Sequence, residues 1–168
     1  MRKQKGDPLM NLSVILPDET FLPAAQQLID QAERKIWIST FKAEITTKPR
    51  GRKLHQFFDT LYEKAHNGVE VRCLTNRPDG GKHIPISNEF AVRDMARNRV
   101  QVRYLPHGRC CHSKLLLTDT VGSIIGSHNL SVKSCRGNSE CSLYFIDPRT
   151  DEWLREFYER TWETAIKI

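Results

Sequence analysis

The stretch between residues 111 and 146 constrains this chain more than any other. It contains three apolar runs, Leu115-Leu116-Leu117, Ser123-Ile124-Ile125 and Cys141-Ser142-Leu143-Tyr144-Phe145-Ile146, each short enough for a strand. Polar residues of a particular kind flank them. His112 and Lys114 stand two apart before the first run, Ser127 and Asn129 repeat that spacing after the second, and Glu140 opens the third. Side chains alternate along a strand with period two, so each spaced pair is expected on one face. Three adjacent strands would gather an imidazole, an ammonium, a hydroxyl, an amide and a carboxylate. That set suits a phosphoester: the ammonium and the amide hold non-bridging oxygens while the imidazole attacks or protonates.

The pattern His-x-Lys-x4-Asp-x6-Gly-Ser-x-Asn is met without a gap by His112, Lys114, Asp119, Gly126, Ser127 and Asn129. In this the chain resembles the phospholipase D superfamily. Glu140, in an Asn138-Ser139-Glu140 context, falls where the family's small bacterial endonucleases carry their glutamate. The resemblance is tight over residues 103–147 and looser elsewhere. It implies a phospholipase D-like α/β fold, a mixed β-sheet of about seven strands sandwiched between helices. It also implies a two-step reaction. His112 attacks phosphorus, and a second histidine protonates the leaving oxygen and then activates water. Lys114 and Asn129 hold the phosphoryl oxygens, Glu140 accepts a hydrogen bond from an imidazole nitrogen, and Ser127 supports by hydrogen bonding. Asp119, at a strand end before a turn, is expected to be structural, and Gly126 to allow close backbone packing. His128 is expected on the opposite face as a packing or surface residue. Neither metal nor other cofactor is required. Only one His-x-Lys occurs, whereas the chemistry needs two histidines, so a homodimer with one shared site is expected.

Substrate and setting follow from charge. The net charge of +6 points to a polyanionic partner, DNA or RNA before anionic lipid. Lys42, Lys48, Arg50, Arg52 and Lys53 face only Glu44 across residues 42–53, which Pro49 and Gly51 mark as a loop. Arg103 and Arg109 belong to a second basic span over 93–109. The expected function is a metal-independent endonuclease. A cardiolipin-type phospholipid hydrolase and a non-catalytic nucleic-acid-binding module are the alternatives. No apolar run reaches the roughly 20 residues that span a bilayer, and the basic N-terminus lacks an apolar signal core, so a cytoplasmic protein is expected. The five cysteines form no Cys-x-x-Cys pair, which disfavours zinc and disulfide frameworks.

A basic arm over 1–10 is expected to precede a single domain over 11–168. Strands are expected at 11–16, 35–41, 69–75 and 100–105, then in succession from near Cys110, Val121 and Glu140. Helices fall between: one capped by Asp18 or Thr20, one from Leu54 closed by Asn67-Gly68, and one from Ser87. A last helix, capped by Asp151, carries an aromatic stripe. The glycine-rich loop 76–83 reads equally as a phosphate approach or a plain connection.

Overall fold

The computed structural model describes residues 12–78, 87–120 and 122–168. The basic arm, most of the 76–83 loop and Val121 lie outside them. The described strands are β1 (Leu12–Pro17), β2 (Lys35–Ser39), β3 (Glu70–Thr75), β4 (Gln101–Tyr104), β5 (Leu115–Thr118), β6 (Ser123–Gly126), β7 (Cys141–Ile146) and β8 (Ile166–Lys167). They form one sheet in the order β1-β7-β6-β5-β2-β3-β4-β8. The helices are α1 (Phe21–Gln31), α2 (Arg52–His66), α3 (Ser87–Arg97), α4 (Val132–Arg136) and α5 (Pro148–Thr164).

β2, β3 and β4 run parallel, because helical crossovers return the chain in the same direction. β5, β6, β7 and β1 are antiparallel along the other half. One sheet face packs on α1, α2 and α3 through Ile36, Ile38, Leu116, Ile124, Leu28, Phe57, Phe58 and Met95. The other packs on α5 through Trp37, Leu74, Leu115, Leu117, Tyr158 and Trp162. Alternation decides this division: in β2, Ile36 and Ile38 go one way and Trp37 the other. Helices therefore cover both faces, as the strand and helix pattern implies.

Several boundaries differ from the sequence expectation. The sheet of about seven strands has eight described ones, the last added where the final helix stops at Thr164 and Ile166–Lys167 pair with β4. The three late strands are not consecutive, since α4 sits between β6 and β7. Residues 110–114 are irregular rather than the start of β5. Arg52 and Lys53 are in the first turn of α2, not in the preceding loop. The cap of α5 is Asp147, whose side chain accepts from Thr150 N at 3.1 Å, with Pro148 in the first turn. Asp151, expected as the cap, lies inside the helix and pairs with Arg155. α1 has no side-chain cap; Thr20 Oγ1 donates back to Pro17 O instead. Gly68 closes α2 at φ +89°, a conformation costly to residues with a Cβ.

Candidate active site

Antiparallel pairing collects His112, Lys114, Ser127, Asn129 and Glu140 at one end of the sheet's interior strands. β5 runs opposite to β2, so its first residues lie where β2 ends; β6 ends there, and β7 begins there. Gly126 N donates to Lys114 O at 3.1 Å, and Ser127 N donates to Cys141 O at 3.0 Å. These two bonds bring the His112–Lys114, Ser127–Asn129 and Glu140 segments side by side. The cause is thus the convergence of strand ends. It is not alternation within a strand, because both spaced pairs lie just outside the regular strands. Gly126 is packed so closely that a Cβ would meet Ser142 Cα at 2.4 Å.

Two buried asparagines fix the neighbouring loops. Asn76 accepts from Cys111 N at 2.7 Å and donates to Phe41 O and Cys111 O at 3.1 and 3.0 Å. Asn88 accepts from Ala43 N at 2.8 Å and donates to Phe41 O at 3.2 Å. Both asparagines are nearly inaccessible, and together they tie the chain after β2 to the segment that carries His112. Their loss would leave buried backbone groups unpaired.

His112 is exposed at the rim. Its ring centroid lies 5.6 Å from that of Phe41. Lys114 is only 9% exposed, with Nζ donating to His112 O and standing 3.3 Å from His112 Nδ1. Burial disfavours the ammonium and lowers the Lys114 pKa. Asn129 Oδ1 accepts from Lys42 N at 3.1 Å and lies 3.4 Å from Thr40 Oγ1. The backbone donor orients the amide, leaving Nδ2 with no protein acceptor among the described residues. Glu140 accepts from Ser127 Oγ, from Ser134 Oγ at 2.9 Å and from Asn138 Nδ2 at 2.9 Å. Burial opposes its ionisation, but those three donors outweigh it and hold the pKa below the usual carboxylate value. Within the chain Glu140 takes no hydrogen bond from an imidazole among the described residues.

The other motif residues are built into the scaffold. Asp119 receives Glu33 N, Arg34 N and Lys35 N at 3.2, 3.0 and 3.0 Å and pairs with Arg34 at 3.3 Å. Burial works against this carboxylate, yet the backbone bonds of Lys35 and Arg34 and the Arg34 guanidinium lower its pKa. His128 is 2% exposed, stacks on Phe21 with centroids 4.4 Å apart, and contacts Ser142 Oγ at 2.7 Å and Asp18 O at 2.9 Å. Burial lowers its pKa. Cys111 is buried beside Ser39, at 3.1 Å, whereas Cys110 is exposed.

Of the basic residues, Lys48, Arg50, Arg52 and Lys53 are exposed, and Lys42 pairs with Glu44 at 3.5 Å. Arg109 is exposed just before the motif. Arg103 does not join this group: it donates to Trp162 O at 2.7 Å and lies 4.5 Å from that ring.

Sequence reasoning missed α4. Ser131 caps it, accepting from Ser134 N at 3.3 Å, and Gly137 ends it. Ser134 Oγ accepts from Asn129 N at 2.8 Å while donating to Glu140, so α4 braces two motif residues. The signal in the sequence was a serine cap followed by a glycine stop, within a segment too short to show helical periodicity.

A family model described as "Cardiolipin synthase, PLD-like domain" matches residues 26–162. Cardiolipin synthase A of Pseudomonas entomophila (strain L48) is 29% identical over 153 residues, which cover 90% of this chain and 30% of that protein. The chain thus spans under a third of the length of the curated relatives it matches. The fold is similar to that of Nuc from Salmonella typhimurium, described as a phospholipase D family member. That likeness has a TM-score of 0.76 at 17% identity and covers 94% of this chain and 98% of that one. NucT from Helicobacter pylori gives a TM-score of 0.71 at 15% identity, covering 94% and 99%. At such identities these likenesses show the fold alone.

Proposed function

Since the chain belongs to the cardiolipin synthase-type PLD-like domain family, within the phospholipase D superfamily of phosphodiesterases, we propose that it is a metal-independent endonuclease acting on DNA or RNA. The reaction runs through a phosphohistidine on His112, at a site completed by a second copy of the chain. His112 attacks phosphorus, the ester P–O bond breaks, and the leaving oxygen takes a proton from a second imidazolium. Water then attacks phosphorus, gives its proton to that imidazole, and the P–N bond breaks. The products are a phosphomonoester and an alcohol. Lys114 Nζ and Asn129 Nδ2 stabilise the charge that grows on the non-bridging oxygens.

The observation that carries the reading is the contrast between His112 and His128, the residue between Ser127 and Asn129. His112 is exposed beside Lys114, whereas His128 is spent in packing between Phe21, Ser142 and Asp18. The acid is then supplied by the partner's copy of the motif, across a self-complementary twofold interface. Lys114 Nζ lies 3.3 Å from His112 Nδ1. Attack through Nε2 needs Nδ1 protonated and facing an acceptor, and Glu140 is the carboxylate we assign to it, from either chain. Exposed Lys48, Arg50, Arg52, Lys53 and Arg109, with Lys42, favour a polyanionic substrate.

The test is stoichiometric. Light scattering should give twice the chain mass. Inactive His112→Ala chains titrated into wild type should poison activity beyond dilution, because mixed dimers are dead. Full activity in a monomer would refute the shared site. The second reading, a cardiolipin-type lipid diesterase, is favoured by the relatives named cardiolipin synthase A. Turnover of cardiolipin vesicles without turnover of oligonucleotides would establish it.

A further inference from the structure

α4 puts two cations on the surface that the motif does not contain. Lys133 and Arg136 line a cleft of about 520 Å³ together with Lys42, Arg50, Glu44, Val132 and Gly137. That size lies within the roughly 300–1,000 Å³ range of ligand sites. Four cations meet one carboxylate there. Glu44 is engaged with Lys42 at 3.5 Å, and Arg136 reaches Glu19 only at 3.9 Å, with both of those side chains more than half exposed. Arg50 and Lys133 have no ion-pair partner among the described residues.

The cleft is joined rigidly to the candidate site. Its Lys42 wall donates N–H to Asn129 Oδ1. Glu44 N donates to Leu130 O at 2.8 Å, and Ala43 bridges to Leu130. The buried side of α4 holds Asn129 N and Glu140 through Ser134. One short helix therefore braces the motif with its inner face and presents Lys133 and Arg136 with its outer face. A molecule whose phosphate lies against Lys114 and Asn129 would have its next anionic group drawn toward this cleft.

We propose that the cleft formed by Lys42, Arg50, Lys133 and Arg136 is a second-phosphate subsite. It takes a backbone phosphate next to the scissile one and so selects a polynucleotide strand over an isolated phosphodiester. The assignment rests on the phosphodiesterase reading of the motif and specifies its substrate. Long cationic side chains meeting phosphates without reading bases give affinity and register, not sequence preference.

The experiment uses the full chain with Lys133→Ala/Arg136→Ala, and Lys133→Arg/Arg136→Lys as the charge-preserving control. Binding of a fluorescent single-stranded 12-mer is followed by anisotropy over a salt series, and hydrolysis is measured on that 12-mer and on bis(p-nitrophenyl) phosphate. The alanine pair should weaken 12-mer binding by about tenfold or more at low salt. It should also flatten the log–log salt slope by about 1.4, from about 0.7 for each single-strand phosphate that is no longer neutralised. The charge-preserving pair should restore both. The loss of kcat/KM on the 12-mer should exceed that on bis(p-nitrophenyl) phosphate by at least about tenfold. Unchanged 12-mer binding and slope would overturn the proposal. So would equal losses on both substrates, which would mean that the substitutions act through the Ser134 brace. If wild type binds but never cuts the 12-mer, while the alanine pair still loses binding and slope, the subsite stands and the endonuclease reading fails.

Discussion

Ser134→Ala tests how the site is braced. The serine is 1% exposed, and its Oγ accepts from Asn129 N at 2.8 Å and donates to Glu140 Oε1 at 2.9 Å. Leaving a buried N–H without an acceptor costs about 1–3 kcal/mol, toward the lower end for the partly buried Asn129 N–H, and a hydrogen bond to a charged group contributes about 1.5–3 kcal/mol. The second contribution is reduced here, because Glu140 is partly open to water and keeps Ser127 and Asn138. A net loss of about 2–3 kcal/mol follows, which lowers Tm by roughly 5–10 °C for a chain of this size. The loss should depend on pH. The donors to Glu140 depress its folded pKa, so its ionisation stabilises the fold above the unfolded value of about 4.3 and ceases to do so as pH falls through the folded value. Removing one donor raises the folded pKa. The gap between wild type and variant is therefore widest near neutral pH and narrows below about pH 4. Thermal unfolding at pH 7 and pH 3.5 reads this directly. A double-mutant cycle with Glu140→Ala should show coupling of about 1 kcal/mol. Additive losses, with the same gap at both pH values, would refute the brace.

Other outcomes can be checked alongside. His112→Asn should lower turnover on the order of 10⁴-fold or more while leaving Tm within about 2 °C, since the ring is exposed; retained turnover would remove the phosphohistidine. Activity should persist in EDTA, because Lys114, Asn129 and the imidazoles supply the charge stabilisation; loss in chelator with recovery in magnesium or zinc would contradict this. Replacing Arg50, Arg52 and Lys53 by alanine should flatten the duplex-binding salt slope by about 0.9 for each phosphate set free, and an unchanged slope would place the phosphate-binding cations elsewhere.

What the sequence determined by itself was the family and the class of fold. Ungapped spacing from His112 to Asn129 pointed to the candidate site, and apolar alternation identified β2, β3 and β4 with the helices between them, because local periodicity is written in the chain. Short elements escaped. α4 spans five residues and β8 two, too few for a period to show. The reason the motif residues meet was also not local. His112, Lys114, Ser127, Asn129 and Glu140 lie beyond their strands, and the antiparallel register of β5 with β6 and of β6 with β7 brings those strand ends together. Arg103 and Arg109 look alike in sequence, but only packing assigns one to the Trp162 ring and leaves the other at the surface. His128, expected from the sequence as either a packing or a surface residue, is assigned to packing only by Phe21, Ser142 and Asp18 closing around it. Residue types and spacing state which groups a chain can bring to a reaction. Which of them remain free to react depends on partners distant in sequence, and those exist only once the sheet has formed.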